Sequence, residues 1–139
     1  MFELTINRKF STSVNQLFEA WKNPEVMQRW FAPGDMSVPE ASVDFRENGE
    51  YRIVMQESDG EQHVVGGTYK KIEENKTLVF SWRWEGSPAT TLVALQFNAI
   101  NESSSELVLS HSEFADQEAC DKHEQGWNGC LANLLKLYP

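Results

Sequence analysis

The sequence predicts an α+β domain: a curved antiparallel sheet of about seven strands, two short helices after the first strand, and one long C-terminal helix across one face. Three observations lead there. Between Ser37 and Ser112, apolar and polar residues alternate in six short runs separated by turn-like segments. From Asp116 to Tyr138 the apolar spacing becomes that of a single helix. Ahead of both lie one alternating run and two short helical patterns.

The first run, "FELTINRKF", places Phe2, Leu4 and Ile6 on one side of a strand. "STSVNQLFEAW" then spaces Val14, Leu17, Phe18 and Trp21 as a helix, with Ser13 and Gln16 as a capping box. Asn23 caps a second helix that begins at Pro24, carries Val26, Met27, Trp30 and Phe31, and stops at "APGD". Strands follow over about 38–46, 49–57, 63–73, 77–85, 90–100 and 104–112. Their joints are short, which makes a meander; Asn48-Gly49 predicts a type I′ hairpin and Asp59-Gly60 another tight turn. The final helix, started by Asp116 and Glu118, runs about 34 Å, enough to cross such a sheet.

Strand parity defines an inner face. It collects Tyr51, Ile53 and Met55; Val65 and Tyr69; Leu78, Phe80, Trp82 and Trp84; Val93, Leu95 and Phe97; and Leu107, Leu109 and His111. Gly66 and Gly67 mark a bulge or bend. On the last helix Cys120, Trp127, Leu131, Leu134 and Tyr138 form one stripe, bordered by His123 and Cys130. Gly126 falls at the edge of that stripe and Gly129 behind it, where solvent and contact with another segment are both open. Large rings on a curved sheet facing one helix either interdigitate or leave a lined gap. The many tryptophans and tyrosines with polar tips favour the gap.

Several functions are disfavoured. A net charge of −9 and the lack of any basic run longer than two residues oppose nucleic acid and anionic lipid surfaces. No apolar run of 18 residues or secretory leader is present, so a soluble cytoplasmic protein without membrane insertion is expected. The two cysteines, Cys120 and Cys130, lie too far apart along one helix to form a disulfide with each other. His63, His111 and His123 have no metal-ligand spacing, and no phosphate loop, nucleophile elbow or dinucleotide fingerprint occurs; no metal or cofactor is expected. Asp44, Arg46, Glu50 and Arg52 read as a surface charge ladder across one hairpin. Cys130 reads as an inert thiol.

The segments "LFEAWKNPEVMQRWFAP", "DFRENGEYRIVM", "GGTYKKIEENKTLVFSWRW" and "HEQGWNGCLANL" resemble the SRPBCC (START-like) superfamily. More closely they resemble single-domain bacterial proteins of the family named after the activator of the heat-shock protein 90 ATPase. Trp21, Asn23, Pro24, Trp30 and Pro33 match its helix pair. Asp44, Arg46 and Gly49 match its first turn, with Asn48 replacing a glycine, and Gly126 and Trp127 match its last helix. The resemblance implies one helix-grip domain over residues 1–139, with a hydrophobic cavity between sheet and helix. It also implies a choice among ligand carrier, cyclase or hydrolase, and stress-related chaperone partner, since the fold alone names no activity.

The expectation is a non-enzymatic site for a small hydrophobic or aromatic molecule of lipid or polyketide type. It comprises Trp30, Tyr51, Ile53, Met55, Tyr69, Phe80, Trp82, Trp84, Val93, Leu95, His111, His123, Trp127, Cys130 and Leu131. Tyr51, Tyr69 and His111 are its polar groups. A cyclase alternative would have the same phenols and imidazole polarise a carbonyl; a chaperone contact is the other alternative.

Overall fold

The computed structural model describes residues 2–139. Its elements are β1 (Phe2–Phe10), α1 (Val14–Ala20), α2 (Pro24–Met27), β2 (Ser37–Val43), β3 (Glu50–Gln56), β4 (Gln62–Glu73), β5 (Thr77–Trp84), β6 (Thr91–Asn101), β7 (Ser104–Phe114) and α3 (Gln117–Leu137). All seven strands form one antiparallel sheet in the order β1-β7-β6-β5-β4-β3-β2. The meander therefore runs unbroken from β2 to β7, and the N-terminal strand closes the far edge beside β7, pairing Ile6 with Leu109. This is the expected α+β architecture.

Local chemistry sets the element ends. Ser13 accepts from the Gln16 N–H at 3.2 Å, Asn23 from Glu25 at 2.9 Å, and Asp116 from Ala119 at 2.7 Å, so each helix has a side chain on an otherwise free donor. Helix α2 is shorter than expected: regular helix stops at Met27, and a tight turn in which Phe31 N–H reaches Met27 O carries the chain to Phe31. Strand β2 also ends early, at Val43. Gly49 N–H bonds Arg46 O, and Asn48 alone takes a positive φ, 70°, so the turn is not type I′. The expected charge ladder is rearranged accordingly. Arg46 pairs locally with Asp44, while Arg52 reaches Glu40 and Glu85.

The irregularity in β4 lies past the glycines, where the register with β5 shifts between Tyr69 and Lys71. Gly67 instead admits the neighbouring strand: a Cβ there would sit 2.0 Å from Ser81 O.

Opposite Trp127 lies a cluster of rings. Trp82, Phe31 and Trp21 approach it with centroids at 5.0, 5.8 and 5.9 Å, and the residue is 3% exposed. Burying this indole offsets the helix cost of the glycines beside it. Cys120, Cys130, Leu131 and Leu134 complete the buried stripe, whereas Tyr138 lies beyond the last turn, caps the helix and is only partly buried. At the sheet edge the inward-facing Arg8 donates to Asn128 Oδ1 at 2.7 Å.

The two glycines of α3 have separate causes. Gly129 lies against the loop after α2: a Cβ would meet Pro33 Cβ at 2.7 Å, and Asn133 donates to Ala32 O and Gly34 O on the same loop. Gly126 faces open space, with nothing within 4 Å of its would-be Cβ. The same substitution should therefore have opposite effects. Gly126→Ala should stabilise the protein by about 0.8–1 kcal/mol through helix propensity alone. Gly129→Ala should lose that gain to overpacking, which costs about 1–3 kcal/mol. Chemical denaturation of the two variants checks the sign of each.

Candidate functional site

The space left by Gly126 belongs to a cavity of about 310 Å³ between α3 and the β3-β4-β5 end of the sheet. Its walls are Met55 on β3, Trp82 and Trp84 on β5, Trp127 and Cys130 on α3, and Pro33 and Met36 from the loop after α2. Lys122, His123 and His63 complete the lining. The surface it offers a ligand is almost wholly apolar. Wider depressions, near Gly66 and Ser81 and near Thr77 and Gln96, hold about 500 and 550 Å³ but are open and far more polar.

The cavity keeps its shape through two tryptophan–histidine hydrogen bonds. Trp127 Nε1 donates to His111 Nδ1 at 2.9 Å, and His111 Nε2 lies 2.7 Å from Thr91 Oγ1, which bonds Trp82 O at 3.3 Å. An indole N–H only donates and a carbonyl only accepts. The proton on His111 is therefore assigned to Nε2, and one directed chain runs from α3 through β7 and β6 to β5. The second bond repeats the logic at the rim. Trp84 Nε1 donates to His123 Nε2 at 2.9 Å, and His123 Nδ1–H donates to Ala119 O at 2.7 Å.

Both imidazoles must be neutral to accept an indole hydrogen. Burial, with His123 nearby as a second influence, pushes the pKa of His111 down to about 3. Burial also lowers that of His123, against the opposing effect of its bond to Ala119. Burial raises the Cys130 thiol to about 12, so it stays protonated. Among the described residues, Trp82 Nε1 is the one buried polar side-chain atom of the lining without a partner.

Of the expected site residues, Met55, Trp82, Trp84, His123, Trp127 and Cys130 line the cavity. Tyr51, Ile53, Tyr69 and Phe80 surround a separate gap of about 10 Å³ with Trp21, Met27 and Phe31, too small for an organic ligand. Burial first, and then Tyr69 nearby, raise the Tyr51 phenol well above its ordinary pKa; it donates to Ser81 O at 2.6 Å. Trp30 lies outside both spaces and ties its N–H to Ala20 O at the end of α1. Val93, Leu95 and Leu131 are packed in the core, and His111 stands behind Trp127 with both nitrogens engaged.

Sequence reasoning left Pro33, Met36, His63, Lys122 and Gly126 off the site. Gly126 carried a signal, a costly glycine beside the helix's largest side chain; the loop residues carried none, because their contact with α3 is non-local. The β3-β4 hairpin also brings Glu57, Glu61 and His63 within 4.8 Å of one another, and His63 pairs with Glu57 at 2.8 Å.

A curved antiparallel sheet gripping a long C-terminal helix over an apolar cavity defines a START-like, helix-grip protein. The family model described as "Activator of Hsp90 ATPase homolog 1-like protein" matches residues 11–138, and the chain belongs to that family. Solved structures agree on the fold. The AHSA1 protein of Silicibacter pomeroyi superposes with a TM-score of 0.88 at 24% identity, covering 97% of this chain and 96% of that one. Protein CV1439 of Chromobacterium violaceum gives 0.85 at 18%, covering 99% and 98%. CalU16 of Micromonospora echinospora gives 0.72 at 23%, covering 95% and 73%. None of the curated proteins matches the chain. No helix among the described residues is long and apolar enough to cross a membrane.

The histidines set a pH dependence of stability. An unfolded His titrates near 6.5, whereas folded His111 does so near 3, so between these values the unfolded chain binds more protons. Stability should be level above pH 6.5 and fall as pH drops through this window, by about 1.4 kcal/mol per unit at full slope, His123 acting in the same direction. Urea denaturation at pH 7 and pH 5 measures the difference. Replacing His111 with a non-titrating residue should reduce it, leaving the share that His123 carries.

Proposed function

We propose that this protein binds a small apolar molecule, aromatic in its buried part, in the cavity beneath Trp84 and Trp127, and that it does so without catalysing a reaction. The observation that carries the reading is the cavity itself: about 310 Å³ bounded by three indoles, two thioethers and a proline ring. A void of about 150 Å³ accepts benzene. This one accommodates about two rings, or a dozen carbons, which is too little for a two-chain membrane lipid. Flat faces and polarizable sulfurs favour an aromatic body. Lys122 and His63 at the more exposed end leave a place for a polar substituent.

The state of the wall supports binding over catalysis. General acid–base work needs a group that can exchange a proton near neutral pH. Here the groups that would polarise a carbonyl, Tyr51, Tyr69 and His111, lie outside the cavity, and the Cys130 thiol stays protonated. Family membership carries a second reading, contact with a chaperone, which stimulation of a chaperone ATPase by the purified protein would support.

Thermal unfolding with a panel of neutral bicyclic aromatics and single-chain lipids tests the first reading. A binder present at 100 times its Kd should add about 2.7 kcal/mol, or roughly 10 °C in Tm. Gly126→Phe, whose ring would fill the cavity from a helix position with open space around it, should abolish that shift while the protein stays folded. No shift with any compound, or an unchanged shift in Gly126→Phe, would overturn the proposal.

A further inference from the structure

Resting on the reading that the cavity binds a small apolar molecule, we infer that this binding is proton-linked: neutral His123 holds Trp84 in place as a wall, and protonating the ring releases that wall and weakens the ligand. The geometry is direct. His123 Nε2 is the acceptor for Trp84 Nε1–H at 2.9 Å, and its other nitrogen already donates to Ala119 O. A proton added to the ring can go only to Nε2. That places one N–H donor against another and ends the bond.

The surroundings make His123 the sensor and His111 the fixed partner. His123 is partly buried, as is Trp84, and both line the cavity, so the proton can arrive and the indole has room to move. His111 is fully buried, and its bond to Trp127 survives to much lower pH. From β7 the groups facing His123 are His111, with ring centroids 5.2 Å apart, and Phe114 at 4.9 Å; from β5 they are Trp82 and Trp84. Lys122 lies beside it on α3, paired with Glu118, and His63 of β4, paired with Glu57, shares the cavity lining. Burial disfavours the charged ring, and the bond to Ala119 opposes that effect. Acidification should therefore loosen one wall and leave the other standing. By reciprocity, a ligand that needs Trp84 in place makes His123 harder to protonate.

The test uses 2-naphthol, a two-ring probe that stays neutral below pH 8, with Kd measured by calorimetry from pH 7.5 to 4.5 and the folded state verified at each pH. Kd should be constant above pH 6.5 and then weaken, approaching about tenfold per pH unit once His123 is titrated. In His123→Gln the amide oxygen can accept from Trp84 but does not titrate, so its Kd should vary by no more than about twofold. The Trp84 indole ¹⁵N–¹H signal should shift over the same range, while that of Trp127 stays fixed. Binding with a flat Kd in the wild type, or the same slope in His123→Gln, overturns the linkage and leaves the ligand site intact. No binding at any pH overturns both.

Discussion

The position of the long helix rests on one buried hydrogen-bond chain, from the Trp127 indole through His111 and Thr91 to the carbonyl of Trp82. Each link joins a different element, and each is directional, so the chain fixes both the depth of α3 on the sheet and its rotation. An unpaired indole or imidazole at this depth costs about 1–3 kcal/mol, whereas a satisfied one contributes about 0.5–1.5 kcal/mol. The arrangement therefore excludes neighbouring registers of the helix, and apolar packing around Trp127 supplies the larger stabilising share. Everything described at the cavity follows from that fixed placement.

Placing Trp127 this way leaves the two adjoining glycines in different environments. On one side the helix must approach the Pro33–Gly34 loop closely, and only a residue without a Cβ allows it. On the other side the missing side chain leaves volume that nothing fills. A helix that tolerates both has given up propensity for contact at one position and for space at the other. The second is the kind of local inconsistency that functional sites show. It sits beside a wall whose rim is held by a second histidine bond, so the same helix supplies both lining residues of the cavity and the group that holds Trp84.

The histidines show why burial and chemistry must be weighed together. His111 has the inward position expected of a catalytic or ligand-orienting group, yet both its nitrogens are consumed and its cation is strongly disfavoured. It acts as a rivet. His123, at the edge of the helix stripe, is the one whose bond borders the cavity. Strand parity set His111 inward and helical spacing set His123 at the stripe's edge, but neither could separate their roles, because the separation depends on partners 16 and 39 residues away in sequence, Trp127 and Trp84.

By itself the sequence determined the order of elements, the inward faces of β3, β5, β6 and β7, the helix caps at Ser13, Asn23 and Asp116, and the buried stripe of α3. These are set by alternation, by helical spacing and by side chains acting on their own backbone neighbours, all of which are local. It also marked Gly126 as a residue in want of a reason. Only the tertiary structure decided that β1 pairs with β7, that the tyrosines of β3 and β4 line a gap too small for a ligand, and that a loop carrying Pro33 and Met36 closes the cavity. Those outcomes depend on how far one curved surface stands from another, a distance fixed by all the side chains between them and written at no single position.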